Sequence, residues 1–154
     1  METNGSVGHI RRAEMDGSNI TTIKTGLRFP YAITIDYPNS RLYWTDFASP
    51  NIGTSDLDGS NFRSLTIRSG DGWAGNWGIG LLNDRIYWGT WNDMKLKSCK
   101  TNGKDFRIEY NGEKRNVHLV STGMELPRNR KNHCASRDCP TVCVLTATSS
   151  RCLN

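Results

Sequence analysis

The sequence has no run of about 18 apolar residues, which excludes a helical membrane span within it. Its opening, METNGSVGHIRR, lacks the apolar middle of a secretory leader, and Met1 is not expected to be the natural start of a mature product. Hydrophobic residues reach only 36%, too lean for a large independent core, and 154 residues leave no room for a two-domain enzyme. Although Lys and Arg number 20 and the net charge is +5, the positive residues are dispersed apart from Arg128, Arg130 and Lys131. A dispersed excess describes a solvated surface, so no nucleic-acid partner is expected. Helical periodicity is missing as well. Present instead are five Trp, five Tyr and 15 Gly, the vocabulary of short strands joined by tight turns. The fold class expected is all-β.

Internal repetition sharpens this. Met15-Asp16-Gly17-Ser18-Asn19 recurs as Leu57-Asp58-Gly59-Ser60-Asn61 after 42 positions, and more weakly as Thr101-Asn102-Gly103-Lys104-Asp105 after 44 more. Arg41-Leu42-Tyr43-Trp44-Thr45-Asp46 returns 44 positions later as Arg85-Ile86-Tyr87-Trp88-Gly89-Thr90. Two motifs keeping one spacing identify a structural unit. Within it, the Asp-Gly or Asn-Gly pair sits between short runs such as Asn51 to Leu57 and Phe62 to Ile67, and such pairs take the positive φ of hairpin turns. A second hairpin pairs Ala32 to Asp36 with Leu42 to Asp46 across Tyr37-Pro38-Asn39-Ser40. Four strands per 40 to 45 residues is the period of a β-propeller blade. Roughly three units fit before residue 130, whereas propellers close with roughly four to eight blades. The expectation is an open arc belonging to a longer chain.

At Tyr43-Trp44-Thr45-Asp46 and its degenerate copy Tyr87-Trp88-Gly89-Thr90, the sequence resembles the YWTD (class B) propellers of the low-density lipoprotein receptor family. Pro30-Tyr31-Ala32-Ile33-Thr34-Ile35-Asp36 is similar to the strand preceding that motif, and Cys134, Cys139, Cys143 and Cys152 begin where the family places an EGF-like module. The resemblance implies a partial arc of a six-bladed propeller over residues 1–125, a linker over 126–132 and a truncated EGF-like module over 133–154. It implies disulfides joining Cys134 to Cys143 and Cys139 to Cys152, bonds that belong to the secretory pathway or the cell exterior. The module's acidic calcium-binding pattern is missing, so no metal and no cofactor are expected.

Each conspicuous group has a plain structural alternative. Asp46 has no His, Cys or second carboxylate at a telling spacing, and its recurrence in a periodic motif points to a structural task rather than general-base catalysis. Trp44 and Trp88 are expected between adjacent sheets, with Thr45 and Asp46 hydrogen-bonding backbone at the blade junction. Gly89 and Thr90 replace that pair at the second junction, where Trp91 is expected to compensate by packing. Gly70-Asp71-Gly72-Trp73-Ala74-Gly75 matches a dinucleotide-binding fingerprint formally, but Asn76-Trp77-Gly78-Ile79-Gly80 follows it as a strand-like run where a helix would be needed. That segment is read as a link between blades, with Trp73 or Trp77 available to a binding face. A zinc site from His133, Cys134, Cys139 and Cys143 is the weaker reading of the cysteines. Cys99 aligns with Ala13 and Ser55, small residues that suggest a tight strand position and a buried thiol. Sequons at Asn4 and Asn19 are glycosylation candidates, and His9, His118 and His133 are too scattered for a built acid sensor.

The function these features support is non-catalytic and extracellular: a piece of a low-density lipoprotein receptor-related protein that binds protein ligands and positions neighbouring modules in endocytosis or signalling. Its partners would be a protein ligand, or adjoining blades and receptor modules of the longer chain, without direct membrane insertion. A nidogen-like matrix protein is the competing class, and a propeller hydrolase the third.

Overall fold

The computed structural model describes residues 7–65 and 75–111, together with the backbone of 142–145 and 150–153. Every regular element among them is a strand. The chain runs through β1 (Gly8–Arg12) and β2 (Thr21–Leu27), a two-stranded antiparallel sheet. β3 (Pro30–Asp36), β4 (Arg41–Asp46), β5 (Ile52–Asp56) and β6 (Arg63–Leu65) then form one four-stranded antiparallel sheet in sequence order. β7 (Asn76–Leu82), β8 (Arg85–Thr90), β9 (Lys95–Lys100) and β10 (Arg107–Asn111) repeat that meander. A final hairpin pairs β11 (Val142–Leu145) with β12 (Ser150–Leu153) and sets Cys143 opposite Cys152 in backbone register. The other members of the expected bridges, Cys134 and Cys139, lie outside the described residues, as do Asn4, His118 and His133.

The turns explain why the meander repeats. Gly17, Gly59 and Gly103 have φ of 82°, 92° and 81°, and two residues on Asn19, Asn61 and Asp105 have φ of 52°, 50° and 55°. Glycine carries the left-handed conformation without cost, and Asn or Asp tolerates it best among the rest. In all three turns the glycine N–H donates to the carbonyl three residues back, at 2.9, 3.0 and 2.8 Å. The residue after the glycine donates its N–H to the side-chain oxygen of Asp16, Asp58 or Asn102, again three times over.

The sheets stack through two apolar layers. Ile23 and Leu27 of the first sheet meet Leu42 and Trp44 of the second. On the opposite face of the second sheet, Tyr43, Ile52 and Leu65 meet Ile79, Ile86, Trp88 and Cys99 of the third. Alternation along β4 does this: Leu42 and Trp44 point one way, Tyr43 and Thr45 the other. The second sheet is covered on both faces and so depends on both of its neighbours. The first unit departs from the four-strand expectation, because only its outer hairpin is present among the described residues. Ala13 therefore lies past the end of β1 and exposed, while its repeat counterparts Ser55 and Cys99 are buried; the shared small-residue explanation holds for the two complete sheets only. Burial pushes the Cys99 thiol up to about 11, which makes it unreactive at neutral pH.

Candidate functional site

Among the described residues, a network of side-chain to backbone bonds and an exposed aromatic cluster share one edge of the sheets. There β3 and β7 begin while β4 and β8 end.

Asp46 closes β4 and is almost fully buried. Its carboxylate accepts N–H bonds from Arg28 at 2.9 Å, Phe29 at 3.0 Å and Ala48 at 2.9 Å, so one side chain fastens both the β2–β3 connection and the turn after β4. Bonds from N–H to a carboxylate are roughly twice as strong as neutral ones. Thr45 faces the next sheet: its hydroxyl donates to the Trp77 carbonyl at 2.9 Å and accepts from Ala32 N–H at 3.2 Å. Trp44 lies against Gly53, where an added Cβ would come within 2.2 Å of the indole.

The second junction is built from other groups. Tyr87 stands at a partly buried place in β8 and Trp88 is buried in the layer between sheets, close to Phe106. Gly89 offers no hydroxyl. Thr90 bonds the carboxylate of Asp93 and lies 3.2 Å from the Lys95 carbonyl. Asp93 in turn pairs with the Lys97 ammonium at 2.7 Å and the Lys95 ammonium at 3.5 Å. Partial burial alone would raise the Asp93 carboxyl, but hydrogen bonds from Lys97 and Thr90 and the two positive charges hold it at about 2.

Directly over these junctions lie four rings. Tyr31 and Trp77 each occupy a bulge at the start of an inner strand, where the ladder skips from Pro30 to Ala32 and from Asn76 to Ile79. Bulges re-aim side chains out of the regular alternation. Phe47 and Trp91 each follow the last residue of β4 or β8, and each donates its N–H to the connection before the inner strand, to Phe29 O at 2.8 Å and Gly75 O at 3.0 Å. Trp77 is the hub: its ring centroid is 4.1 Å from Tyr31, 5.0 Å from Trp91 in a near-parallel stack, and 6.3 Å from Phe47 edge-on. Phe29, Tyr31 and Trp91 remain 61%, 48% and 42% exposed.

Sequence reasoning singled out Trp77 and Trp91 but missed Tyr31 and Phe47. The signal was available: the residue after each Tyr-Trp-x-x tetrapeptide is aromatic, and so is the second residue of each inner strand. Asn19 is exposed in its turn and His9 is exposed on β1. Gly75, the last residue of the glycine-rich fingerprint, leads straight into β7 and no helix, while Trp73 lies outside the described residues. Among those described, no group of three or more His, Cys, Asp or Glu could hold a metal ion, and no helix is long and apolar enough to cross a membrane.

Successive four-stranded antiparallel meanders, layered face to face, define an arc of a β-propeller of the YWTD kind. Comparison with known proteins supplies the family. Over 143 residues the chain is 32% identical to the vitellogenin receptor of Solenopsis invicta, covering 92% of this chain and 8% of that one. It is 29% identical over 140 residues to the Drosophila melanogaster vitellogenin receptor Yl, covering 88% and 7%. Low-density lipoprotein receptor-related protein 5 of Homo sapiens is 32% identical over 102 residues, 66% of this chain and 6% of that one. The chain belongs to the low-density lipoprotein receptor family, and its segment is extracellular. It spans less than a tenth of the length of these curated relatives. No family model matches it. Among solved structures, a nidogen/laminin complex aligns over 64% of this chain and 54% of that one, at 20% identity and a TM-score of 0.39.

Proposed function

We propose that this chain is a non-catalytic, protein-binding segment of an endocytic receptor ectodomain, and that it receives its ligand on the aromatic platform formed by Tyr31, Phe47, Trp77 and Trp91. The observation that carries this is the exposure of the platform: large rings converge at one sheet edge with Phe29, Tyr31 and Trp91 each open to solvent by 42% or more. Aromatic side chains with rigid neighbours are the commonest anchors of protein interfaces, and contiguous exposed groups of them mark interaction sites. The Tyr-Trp-Thr-Asp strand serves this face as scaffold, since Asp46 is engaged by three backbone donors.

Two relatives are named vitellogenin receptors, which makes purified vitellogenin the first ligand to try. Immobilised chain should retain it, and Trp91→Ala and Tyr31→Ala should each weaken retention about tenfold or more, the size expected for truncating an interfacial hot spot. Leu82→Ala, exposed at the opposite end of β7 from Trp77, should leave it unchanged. Equal retention by all three variants would remove the platform from the account. The remaining parts of the proposal are the domain limits at 125–126 and 132–133, bridges Cys134–Cys143 and Cys139–Cys152, and glycans at Asn4 and Asn19. Peptide mapping of secreted protein by mass spectrometry tests the last two: unmodified thiols at Cys134 and Cys143, or unoccupied sequons, would strike them out.

A further inference from the structure

Position 97 is where the two complete sheets differ most in chemistry. Gly53 stands at this place in β5, opposite Trp44; its counterpart in β9, opposite Trp88, is Lys97. The Lys97 side chain is only 1% exposed. Removing an ammonium from water is costly unless a counter-charge is brought to it. The counter-charge comes from Asp93, in the connection between β8 and β9, at 2.7 Å. That connection also carries Trp91.

From this we infer that Lys97 is a positioning residue for the ligand platform: by drawing Asp93 inward it fixes the β8–β9 connection and seats Trp91 on Trp77. The inference rests on the proposed role of the aromatic platform and adds how one of its rings is held. The chain of contacts is continuous. Lys97 binds Asp93; Asp93 accepts the hydroxyl of Thr90; Thr90 directly precedes Trp91, whose N–H reaches Gly75 O at 3.0 Å and whose ring stacks on Trp77 at 5.0 Å. Met94, immediately after Asp93, has φ of 52°, a conformation that long side chains seldom adopt and that persists only where surroundings impose it. Lys95 reaches the same carboxylate at 3.5 Å, but from a more exposed place, so it is the lesser contributor. The equivalent ring in the preceding sheet, Phe47, needs no such device, because Asp46, directly before it, accepts N–H bonds from Phe29 and from Ala48, directly after it.

The test compares the full chain with Lys97→Met, which keeps length and apolar bulk but removes the charge, and with Asp93→Asn, which keeps shape. The readout is the near-ultraviolet circular dichroism of the Trp77–Trp91 stack, assigned by its loss in Trp91→Phe. Both variants should lose at least half of that signal while far-ultraviolet spectra stay those of a β protein, and Lys97→Met combined with Asp93→Asn should lose no more than either alone. A ring signal that survives in both variants, even with a lowered melting temperature, would reduce Lys97 to a core-packing residue and overturn the inference. If Lys97→Met does not fold, Asp93→Asn decides by the same criterion. Retention of vitellogenin is measured in parallel, and Lys97→Met should weaken it at least fivefold. Should Trp91→Ala leave retention unchanged, the platform reading fails, and the dichroism still reports separately whether Lys97 seats the ring.

Discussion

The β3–β6 and β7–β10 sheets share strand order and the shape of their outer turns, yet the polar groups that fasten the ends of β4 and β8 differ. In the first, Asp46 reaches backbone on both sides of it and Thr45 bonds across to the next sheet. In the second, Gly89 and Thr90 stand in those places and the work passes to Asp93 and Lys97. The difference extends to the opposite edge. Arg41 pairs with Asp56 at 2.7 Å, whereas its repeat counterpart Arg85 finds Lys100 at the Asp56 place and pairs with Asp105, at the Asn61 place, also at 2.7 Å. The repeat conserves hydrogen-bonding needs and backbone shape and leaves open which side chain meets each need.

The widest separation between the sheets should come from truncating their last strand residues. Asp46→Ala leaves three backbone N–H groups without their carboxylate, and unfolding of the whole chain in urea should show a loss of about 3 kcal/mol or more, against about 1 kcal/mol for Thr90→Ala. Similar losses would mean that the tetrapeptide's acid does no more than its degenerate copy. Next comes Gly53→Ala, whose methyl would be driven into the Trp44 indole; overpacking of this kind costs about 1 to 3 kcal/mol, and a thermal melt unchanged by it would show that the ring has somewhere else to go. Thr45→Val keeps shape but strands the Trp77 carbonyl and should cost about 1 to 2 kcal/mol. No corresponding loss is available at Gly89.

Acid should distinguish the sheets least. The folded Asp93 carboxyl titrates at about 2, below the ordinary aspartate value of 3.8, so the stability it contributes is complete above 3.8 and disappears only as pH falls toward 2. The stability difference between the parent chain and Asp93→Asn should therefore be the same at pH 7 and pH 5. A difference that shrinks by pH 5 would show that the carboxyl is less strongly held than its contacts imply.

Much of this architecture could be read from the residues before any coordinates. The 42- and 44-residue spacings fixed which hairpins share a sheet, because Gly and Asn at positive φ recur at the same turn positions. Trp44 and Trp88 fell between sheets for the reason given by alternation. Other features were opaque. A bulge inserts one residue without a compositional mark, so neither the re-aiming of Tyr31 nor its meeting with Trp77 could be read until the register showed it. Lys97 reads as a solvated lysine in any hydropathy pattern, since its burial depends on an acid four positions earlier and on the sheet packed over it. With only the outer hairpin of the first unit among the described residues, Ala13 likewise stands exposed against expectation.

The bond from Thr45 ends on the main-chain carbonyl of Trp77, while the indole of the same residue faces outward into the ring cluster. Cohesion and recognition thus fall on one residue but on different atoms. Any amino acid at position 77 supplies the carbonyl that holds adjacent wedges together, so the outward group there is free to be exchanged as partners change, and the joint beneath it need not be reinvented.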